Sequence, residues 1–495
     1  MPQTVKKVWR ISLYILISTG VFFRLAQYFY NRSLTEGEAP LALNIITRSY
    51  SELLKPLDYV QAAPIGFLYI EKSLVNLLGN NEYALRLFPL ITGILTIFLF
   101  YAILKLMGDS RLLIFALGLF ILNDHLIYFS SEVKPYASDV FWGLLLVLIT
   151  LRACQSGLKI SILLSWGILG IIIHWFSFPS VFIFLGSGLV LLFCALQTRR
   201  HNVLMVILVM GLLGIISLLL NYALSLRHYL IHTELRAFWQ ESFVPLPFTW
   251  KDFYRFFYLL GRILKNPGGF SLYEIIPTAF FFVVGAFYLF RKNKIYFGEF
   301  SLPLLITILA SMGQLYPFEG RLLLFLAPAL MIFVAQGISE VFVLIKENNR
   351  TIAVMFALLL YLYPVGLSFF HVFKPRAPEE LRPVLEYMLE NKREGDIVYL
   401  YYGSVNAFRY YQTRFPDLNI SYITGIEARH NWTQYYYDIQ RLHGSKRVWF
   451  VFSHIATHLG VNEEKLFLTY LDLLGKRVDG FVAPGAAAYL YDLSF

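Results

Sequence analysis

Residues 203–225 read VLMVILVMGLLGIISLLLNYALS, a stretch in which no side chain is charged. A helix needs about 20 apolar residues to cross the hydrocarbon core of a bilayer, so this stretch alone predicts a transmembrane helix. Over the whole chain, 57% of the 495 residues are hydrophobic and only 15% are charged. That leaves too few polar groups to cover a water-soluble surface. The sequence therefore indicates an integral membrane protein.

Other runs of similar length and character give about eleven predicted membrane helices in all. They cover residues 9–29, 84–106, 111–129, 137–153, 158–174, 176–197, 203–225, 273–291, 299–315, 321–345 and 351–372. The first run follows three basic residues, as the apolar part of a signal peptide does, but no small-residue cleavage pattern follows it. We therefore expect it to remain as a membrane anchor.

Clusters of basic residues occupy alternate turns between these helices. They include Lys105 with Arg111, Arg152 with Lys159, Arg199 with Arg200, and Lys346 with Arg350. By the positive-inside rule these turns are cytoplasmic, so the net charge of +10 reflects topology and not nucleic-acid binding. An odd number of crossings places the N-terminus in the cytoplasm and the C-terminus outside. We expect a bacterial inner (plasma) membrane.

The composition changes after Phe373. Helical or strand periodicity is found at residues 379–393, 396–402, 405–411, 447–452, 463–474 and 486–491. Strands that alternate with helices predict a small α/β domain. We therefore expect a membrane domain over residues 1–373 and an extracytoplasmic α/β domain over 374–495. The latter has no glycine-rich phosphate motif, so nothing supports nucleotide binding there.

Most of the unusual polar residues fall on the outer side, and the first outer loop holds two carboxylates close together. Glu36 and Glu38 flank Gly37 shortly after the first helix. If the backbone is extended or turned there, both can face one cavity. Near the membrane interface each then raises the pKa of the other, which favours proton abstraction near neutral pH. The alternative is a solvated first turn of a helix, where acidic residues are common.

Glu132, in the second outer turn, is a candidate residue of a substrate pocket, and three further residues are candidates for the same pocket. Tyr59 and Gln61 lie in a proline-punctuated part of the first loop that we expect to run along the interface, where they offer hydrogen bonds to a sugar. His174 marks the third outer turn and is bounded by aromatic residues. Interfacial packing is the alternative role for all three.

The second and the last outer turns carry candidate phosphate ligands. Lys134 is a compact cation with the Tyr136 hydroxyl beside it, although Glu132 and Lys134 can instead form a surface ion pair. Arg321 begins a long apolar run, and the N-terminus of a helix also favours an anion. Its alternative role is to reach the lipid headgroups. Lys134 and Arg321 together provide two cations for one phosphate or diphosphate.

These segments resemble the GT-C fold glycosyltransferases, in particular glycosyltransferase family 39 and the bacterial aminoarabinose lipid A transferases. The first loop contributes Glu38-Ala39, Leu41-Ala-Leu-Asn44, Pro56-Leu-Asp-Tyr59, Gln61-Ala-Ala-Pro64 and Leu85-Arg86-Leu87. Residues 131–136 resemble the second-loop motif and residues 316–321 the late-loop motif. The resemblance covers residues 8 to 345. Residues 374–495 resemble the family only in forming an outer soluble domain at the C-terminal end.

The resemblance implies inverting transfer of a sugar from a polyprenyl-phosphate donor to a lipid, glycan or protein acceptor, with an acidic first-loop residue as the base. The family's Asp-Glu-Ala pattern falls on Gly37-Glu38-Ala39, so the usual Asp is absent and Glu38 or Glu36 is left as the base. We then expect Glu38→Gln or Glu36→Gln to abolish transfer and to leave folding intact. The acidic pair is also similar to metal-holding pairs of oligosaccharyltransferases, but family 39 implies no metal, and we expect no cofactor.

Two other classes of protein stay open. A transporter or lipid flippase places ionisable groups and broken helices near the bilayer midplane, often in repeated halves. The sequence shows no clear inverted repeat, and Arg24 and Glu340 are isolated charges. A non-catalytic scaffold is the third class, because Gly37 replaces the expected acid. Transfer of a labelled sugar separates the enzyme from the other two.

Overall fold

The structure, a computed structural model, describes residues 3–226, 237–344 and 350–494. Within these residues, eight helices are long and apolar enough to cross a membrane, and three shorter apolar helices accompany them. Each predicted run overlaps one of these helices. The prediction of a polytopic helical membrane protein is therefore confirmed.

The helices of the first half of the chain are α1 (Gln3–Phe29), α2 (Ala39–Thr47), α3 (Ile65–Leu78), α4 (Glu82–Met107), α5 (Ser110–Ile121), α6 (Asp124–Phe129), α7 (Tyr136–Gln155), α8 (Ile160–Ile173), α9 (Ser180–Thr198) and α10 (His201–Asn221). The described residues that follow form α11 (Trp250–Lys265), α12 (Ile275–Lys292), α13 (Lys294–Met312), α14 (Ala327–Leu344) and α15 (Arg350–Phe373). The single helix predicted over 111–129 is divided in two. The Asn123 side chain accepts a hydrogen bond from the Leu126 amide at 2.9 Å and so caps a new helix at Asp124.

The centre of the bundle is α14, which a 3₁₀ turn over Gly320–Leu326 precedes. It packs closely against α12 at two glycines. A Cβ on Gly285 would overlap the Phe333 carbonyl, and a Cβ on Gly337 would overlap the Phe281 carbonyl. Lipid tails are as apolar as the helices, so close van der Waals contact at small residues holds such pairs together.

The C-terminal region contains helices α16 (Leu381–Asn391), α17 (Val405–Gln412), α18 (Thr433–Gln440) and α19 (Glu463–Leu474). Its strands are β1 (Ile397–Leu400), β2 (Ile423–Thr424), β3 (Val448–Ser453), β4 (Thr457–His458), β5 (Val461–Asn462), β6 (Lys476–Ala483) and β7 (Ala486–Asp492). The main sheet has the order β2-β1-β3-β7-β6, with β1 parallel to β2 and β3, and β7 antiparallel to β3 and β6. The prediction of a small α/β domain is confirmed. Strand β6 was not predicted, because as an edge strand it is largely exposed.

Polar contacts hold this domain against the first outer loop. Glu82, at the start of α4, is 1% exposed and forms ion pairs with Arg382, at 3.0 Å, and with Arg414. The Ser33 hydroxyl donates to a Glu380 carboxylate oxygen at 2.9 Å. Breaking a buried pair leaves an uncompensated charge, so these contacts fix the domain over the loop.

Candidate functional site

A cavity of about 380 Å³ lies between the outer loops and the C-terminal domain. The lining residues are Thr35, Gly37, His125, Tyr128, Phe129, Glu132, Trp239, Asn266, Glu319, Gly320, Arg321, Arg376, Pro378, Glu379 and His454. Segments far apart in the sequence therefore meet in one pocket: the first loop, the second outer turn, the late loop and the C-terminal domain. A pocket with convergent polar groups is the usual form of a small-molecule site.

Arg321 offers an exposed guanidinium to this cavity. It sits in the 3₁₀ turn before α14, and its central carbon lies 6.0 Å from the centre of the Tyr136 ring. None of the described residues forms an ion pair with it. An arginine beside a tyrosine ring suits a phosphate, and phosphate binding by Arg321 stays a prediction.

Glu132 lines the same wall and is only 4% exposed. Its Oε2 atom has no hydrogen-bond partner within the described residues. Burial, reinforced by the neighbouring Glu38 carboxylate, raises the pKa of Glu132. A buried carboxylate left without a partner at a cavity wall indicates a place for a polar ligand.

Lys134 lies behind this wall and does not line the cavity. Its amine donates to Gln61 Oε1 at 2.7 Å, and the Gln61 amide donates to the Tyr59 carbonyl at 3.1 Å. Burial, together with the positive charge of Arg321, lowers the pKa of Lys134 to about 8. Lys134 is therefore close enough to Arg321 for the two cations to repel each other. The predicted pocket residues Tyr59 and Gln61 do not line the cavity. Gln61 binds the Lys134 amine, and the Tyr59 carbonyl holds the Gln61 side chain.

Glu38 is fully buried, in contrast to the expectation that it faces a shared cavity. It forms ion pairs with Arg32 and with Arg86, the latter at 3.0 Å, and also accepts from the Thr35 amide at 3.2 Å and the Val133 amide at 3.0 Å. Burial alone would raise its pKa, but the two arginines lower the pKa of Glu38 to about 2. A carboxylate so fully engaged is a poor base. The geometry favours a structural role that joins the first loop, α4 and the second outer turn.

Glu36 is directed toward the C-terminal domain. Its oxygens accept hydrogen bonds from the Asn406 amide at 2.5 Å and the Ala407 backbone at 3.2 Å. Burial raises the pKa of Glu36 to about 7, so the expected shift is present, with burial as its cause and not the other loop carboxylate. Gly37, between the two glutamates, lines the cavity without a side chain to offer.

His174 is separated from the other predicted site residues. It is 1% exposed where α8 ends, and its Nδ1 atom lies 2.9 Å from the Ser180 hydroxyl. Its ring meets the ring of Phe184 edge-on, with the centres 5.3 Å apart. This is the packed setting that the sequence left open as the alternative.

The C-terminal domain contributes cavity residues that sequence reasoning did not find. His454 follows directly after β3, and its Nδ1 atom lies 2.7 Å from Glu379 Oε1. Both residues line the cavity. The sequence could have indicated His454 as a site residue, because it follows a predicted buried strand and open α/β sheets bind ligands at the carboxyl ends of their parallel strands. Among the described residues, no group of three or more His, Cys, Asp or Glu side chains could hold a metal ion, and independence of metal stays a prediction.

The described residues thus form a bundle of apolar helices with long loops at one end and an α/β domain docked on those loops. The sequence matches no protein-family model and no curated protein. Among solved structures, the chain is similar to ArnT from Cupriavidus metallidurans in the apo state, with a TM-score of 0.55 and 12% identity over 98% of each chain. It is also similar to that protein bound to undecaprenyl phosphate, with a TM-score of 0.53 and 13% identity over 97% of this chain and 98% of that chain.

The oligosaccharyltransferase of Archaeoglobus fulgidus, in complex with Zn and sulfate, gives a TM-score of 0.50 and 14% identity over 89% of this chain and 72% of that one. At identities this low, the structural similarity establishes the fold alone. The predicted GT-C fold is thereby confirmed for nearly the whole length of the chain.

Proposed function

We propose that this protein is a GT-C glycosyltransferase that moves a sugar from a polyprenyl-phosphate donor to an acceptor hydroxyl on the outer side of the membrane, with inversion. The observation that carries the proposal is the outer cavity, which is lined by both Arg321, without an ion-pair partner among the described residues, and Glu132, whose Oε2 atom has no hydrogen-bond partner among them. ArnT, which shares the fold, has been solved with undecaprenyl phosphate bound. That finding supports a lipid-linked phosphate as the ligand here.

In the proposed phosphate site Arg321 lines the cavity, with Tyr136 and Lys134 close behind it. In the free protein the charge of Arg321 lowers the pKa of Lys134, so the two cations repel. A phosphate close to both would turn this repulsion into attraction and would also compensate the charge that develops on the leaving group. The lipid tail would remain among the apolar helices, because the cavity lies at the outer ends of the bundle.

The first-loop carboxylates take different parts in this proposal. Glu38 holds the loop in place, because its oxygens are occupied by two arginines. Glu36, with a pKa near 7, fits a group that exchanges or stabilises a proton at neutral pH. Its carboxylate lies behind the cavity wall, so it acts next to the reaction and not in direct contact with the acceptor.

The orientation rests on the positive-inside rule: the basic turns support an arrangement in which the cavity and the C-terminal domain face the periplasm of a bacterial inner membrane. An acceptor of the cell envelope, whether lipid, glycan or protein, is then within reach. A transporter is less supported, since the cavity is lined by outer loops and by the outer domain. Uptake of the intact donor into vesicles without any sugar transfer would favour that alternative.

Binding of undecaprenyl phosphate to the purified chain tests the phosphate site. We expect Arg321→Ala to weaken binding about 10- to 100-fold, because hydrogen bonds to charged groups contribute roughly 1.5–3 kcal/mol. Arg255→Ala is the matched control, since Arg255 is another outer arginine that has its own partner in Glu241. Native mass spectrometry of the protein with increasing lipid measures both variants. Equal affinity of Arg321→Ala and the parent chain would contradict the site.

A further inference from the structure

An inverting transfer requires a base that faces the acceptor hydroxyl, and the first loop places no carboxylate in the cavity. Gly37 forms that part of the wall, whereas the Glu36 and Glu38 side chains are directed elsewhere. Glu319 lines the cavity but is ion-paired with Arg262 at 2.5 Å. The group that accepts the proton must therefore be sought in another element.

Glu132 is on the wrong side for this task. Its charge interacts with those of Arg321 and Lys134, the cations that we assign to the leaving phosphate. Attack in line with the departing phosphate requires the base on the opposite side of the sugar. His125 also lines the wall, but burial lowers its pKa to about 4, which makes it a weak base at neutral pH.

His454 has the geometry of an oriented base. Its Nδ1 atom is 2.7 Å from Glu379 Oε1, and Glu379 Oε2 accepts the Glu36 backbone N–H at 2.7 Å. Within the described residues, Nε2 of His454 has no hydrogen-bond partner, and the side chain is 52% exposed. A carboxylate on Nδ1 selects the tautomer whose Nε2 lone pair is free to take a proton.

The backbone at His454 is held in an uncommon conformation. Its φ angle is +51°, in the left-handed region that non-glycine residues rarely adopt and that recurs at functional sites. The turn after β1 packs against it, since a Cβ on Gly403 would lie 2.9 Å from the His454 carbonyl oxygen. The domain thus fixes this histidine at the carboxyl end of β3, on the cavity wall.

We infer that His454 is the general base of the transfer and that Glu379 is its positioning residue; the inference rests on the proposed function. Nε2 takes the acceptor hydroxyl proton while the acceptor oxygen bonds to the anomeric carbon. The bond from that carbon to the phosphate oxygen breaks, and its electron pair leaves with the polyprenyl phosphate. Glu379, with Glu36 close by, stabilises the imidazolium. The outer domain is then part of the catalytic site.

The charges around His454 predict the pH dependence. The hydrogen bond with Glu379 raises the pKa of His454, burial and Arg429 oppose this, and Glu36 adds to the increase. Arg376 is a further cation of the cavity wall. The resulting pKa is above the ordinary value of about 6.5. Only the neutral imidazole accepts a proton, so turnover should rise with pH through this pKa and be lost below it.

The test uses the full chain in lipid nanodiscs, with undecaprenyl phosphate as the binding probe, radiolabelled undecaprenyl-phosphate hexoses and aminopentoses as donors, and an extract of bacterial envelope lipids and glycans as the source of acceptor hydroxyls. His454→Gln should lower turnover about 100-fold or more and leave undecaprenyl phosphate binding unchanged. It should also abolish the rise of turnover with pH, the acid limb of the pH profile. Added imidazole should restore part of the turnover, which it would not do for a purely structural loss. His443→Gln, at an exposed histidine of the same domain, is the matched control and should keep parental turnover.

Variants of the positioning residue complete the experiment. Glu379→Gln should move the acid limb to lower pH, because the carboxylate that raises the pKa of His454 is gone, and Glu379→Asp should retain more turnover than Glu379→Ala. Parental turnover and pH profile in His454→Gln would overturn this inference and leave the proposed function standing. A parental chain that neither binds undecaprenyl phosphate nor consumes any of these donors would overturn the proposed function itself.

Discussion

At the scale of single residues, the two first-loop glutamates have opposite environments although only Gly37 separates them. The arginines around Glu38 keep it ionised, with a pKa of about 2, whereas burial raises the pKa of Glu36 to about 7. The difference arises from partners that are distant in sequence: Arg86 belongs to α4 and Asn406 to the outer domain. Spacing along the loop therefore predicts two candidate bases but not their separate roles.

Substitution of Glu38 tests its structural role. We expect Glu38→Gln to destabilise the folded protein by about 3–5 kcal/mol, because it leaves two buried arginine charges without their carboxylate. Glu36→Gln is the control, since the amide oxygen can still accept from Asn406 and the Glu36 carboxyl, with a pKa of about 7, is only partly ionised at pH 7. Thermal unfolding in detergent compares the two. A Glu38→Gln chain as stable as Glu36→Gln would contradict the structural role and restore Glu38 as a candidate base.

At the scale of elements, the hydrophobic pattern decides which helices and strands the sequence can predict. Hydrophobic length is a local property, so the membrane helices are found with boundaries that differ by at most six residues from those of the structure, except where Asn123 divides 111–129. The buried strands β1, β3 and β7 are found for the same reason. The edge strand β6 is not, because its exposed side chains carry no apolar pattern.

Packing between α12 and α14 leads to a prediction at this scale. We expect Gly337→Ala to destabilise the bundle by roughly 1–3 kcal/mol, because the added methyl overlaps the Phe281 carbonyl and forces the helices apart. Gly211→Ala in α10 is the matched control, where no atom lies within 4 Å of the added carbon. The fraction that stays monodisperse after heating measures both. Equal heat resistance of these two variants would show that the contact at Gly337 is not required.

At the scale of the whole molecule, the cavity is formed only when the outer domain docks on the first loop. Sequence order and the positive-inside rule predict that Glu132 and Arg321 share one side of the membrane, and the fold brings both to the cavity. Sequence order and the positive-inside rule cannot predict that Glu379 and His454 line the cavity, because the position of these residues depends on docking contacts such as those of Glu82. The hydrophobic pattern thus predicts which segments face outward, whereas tertiary contacts decide which side chains line the pocket.

An experimental structure of the chain with undecaprenyl phosphate bound tests the central claim, that one outward-facing pocket holds the donor. The account predicts the phosphate within hydrogen-bond distance of Arg321, close to Lys134, with His454 across the cavity and the lipid tail among the helices. A phosphate bound at the cytoplasmic ends of the helices, or outside this cavity, would contradict it.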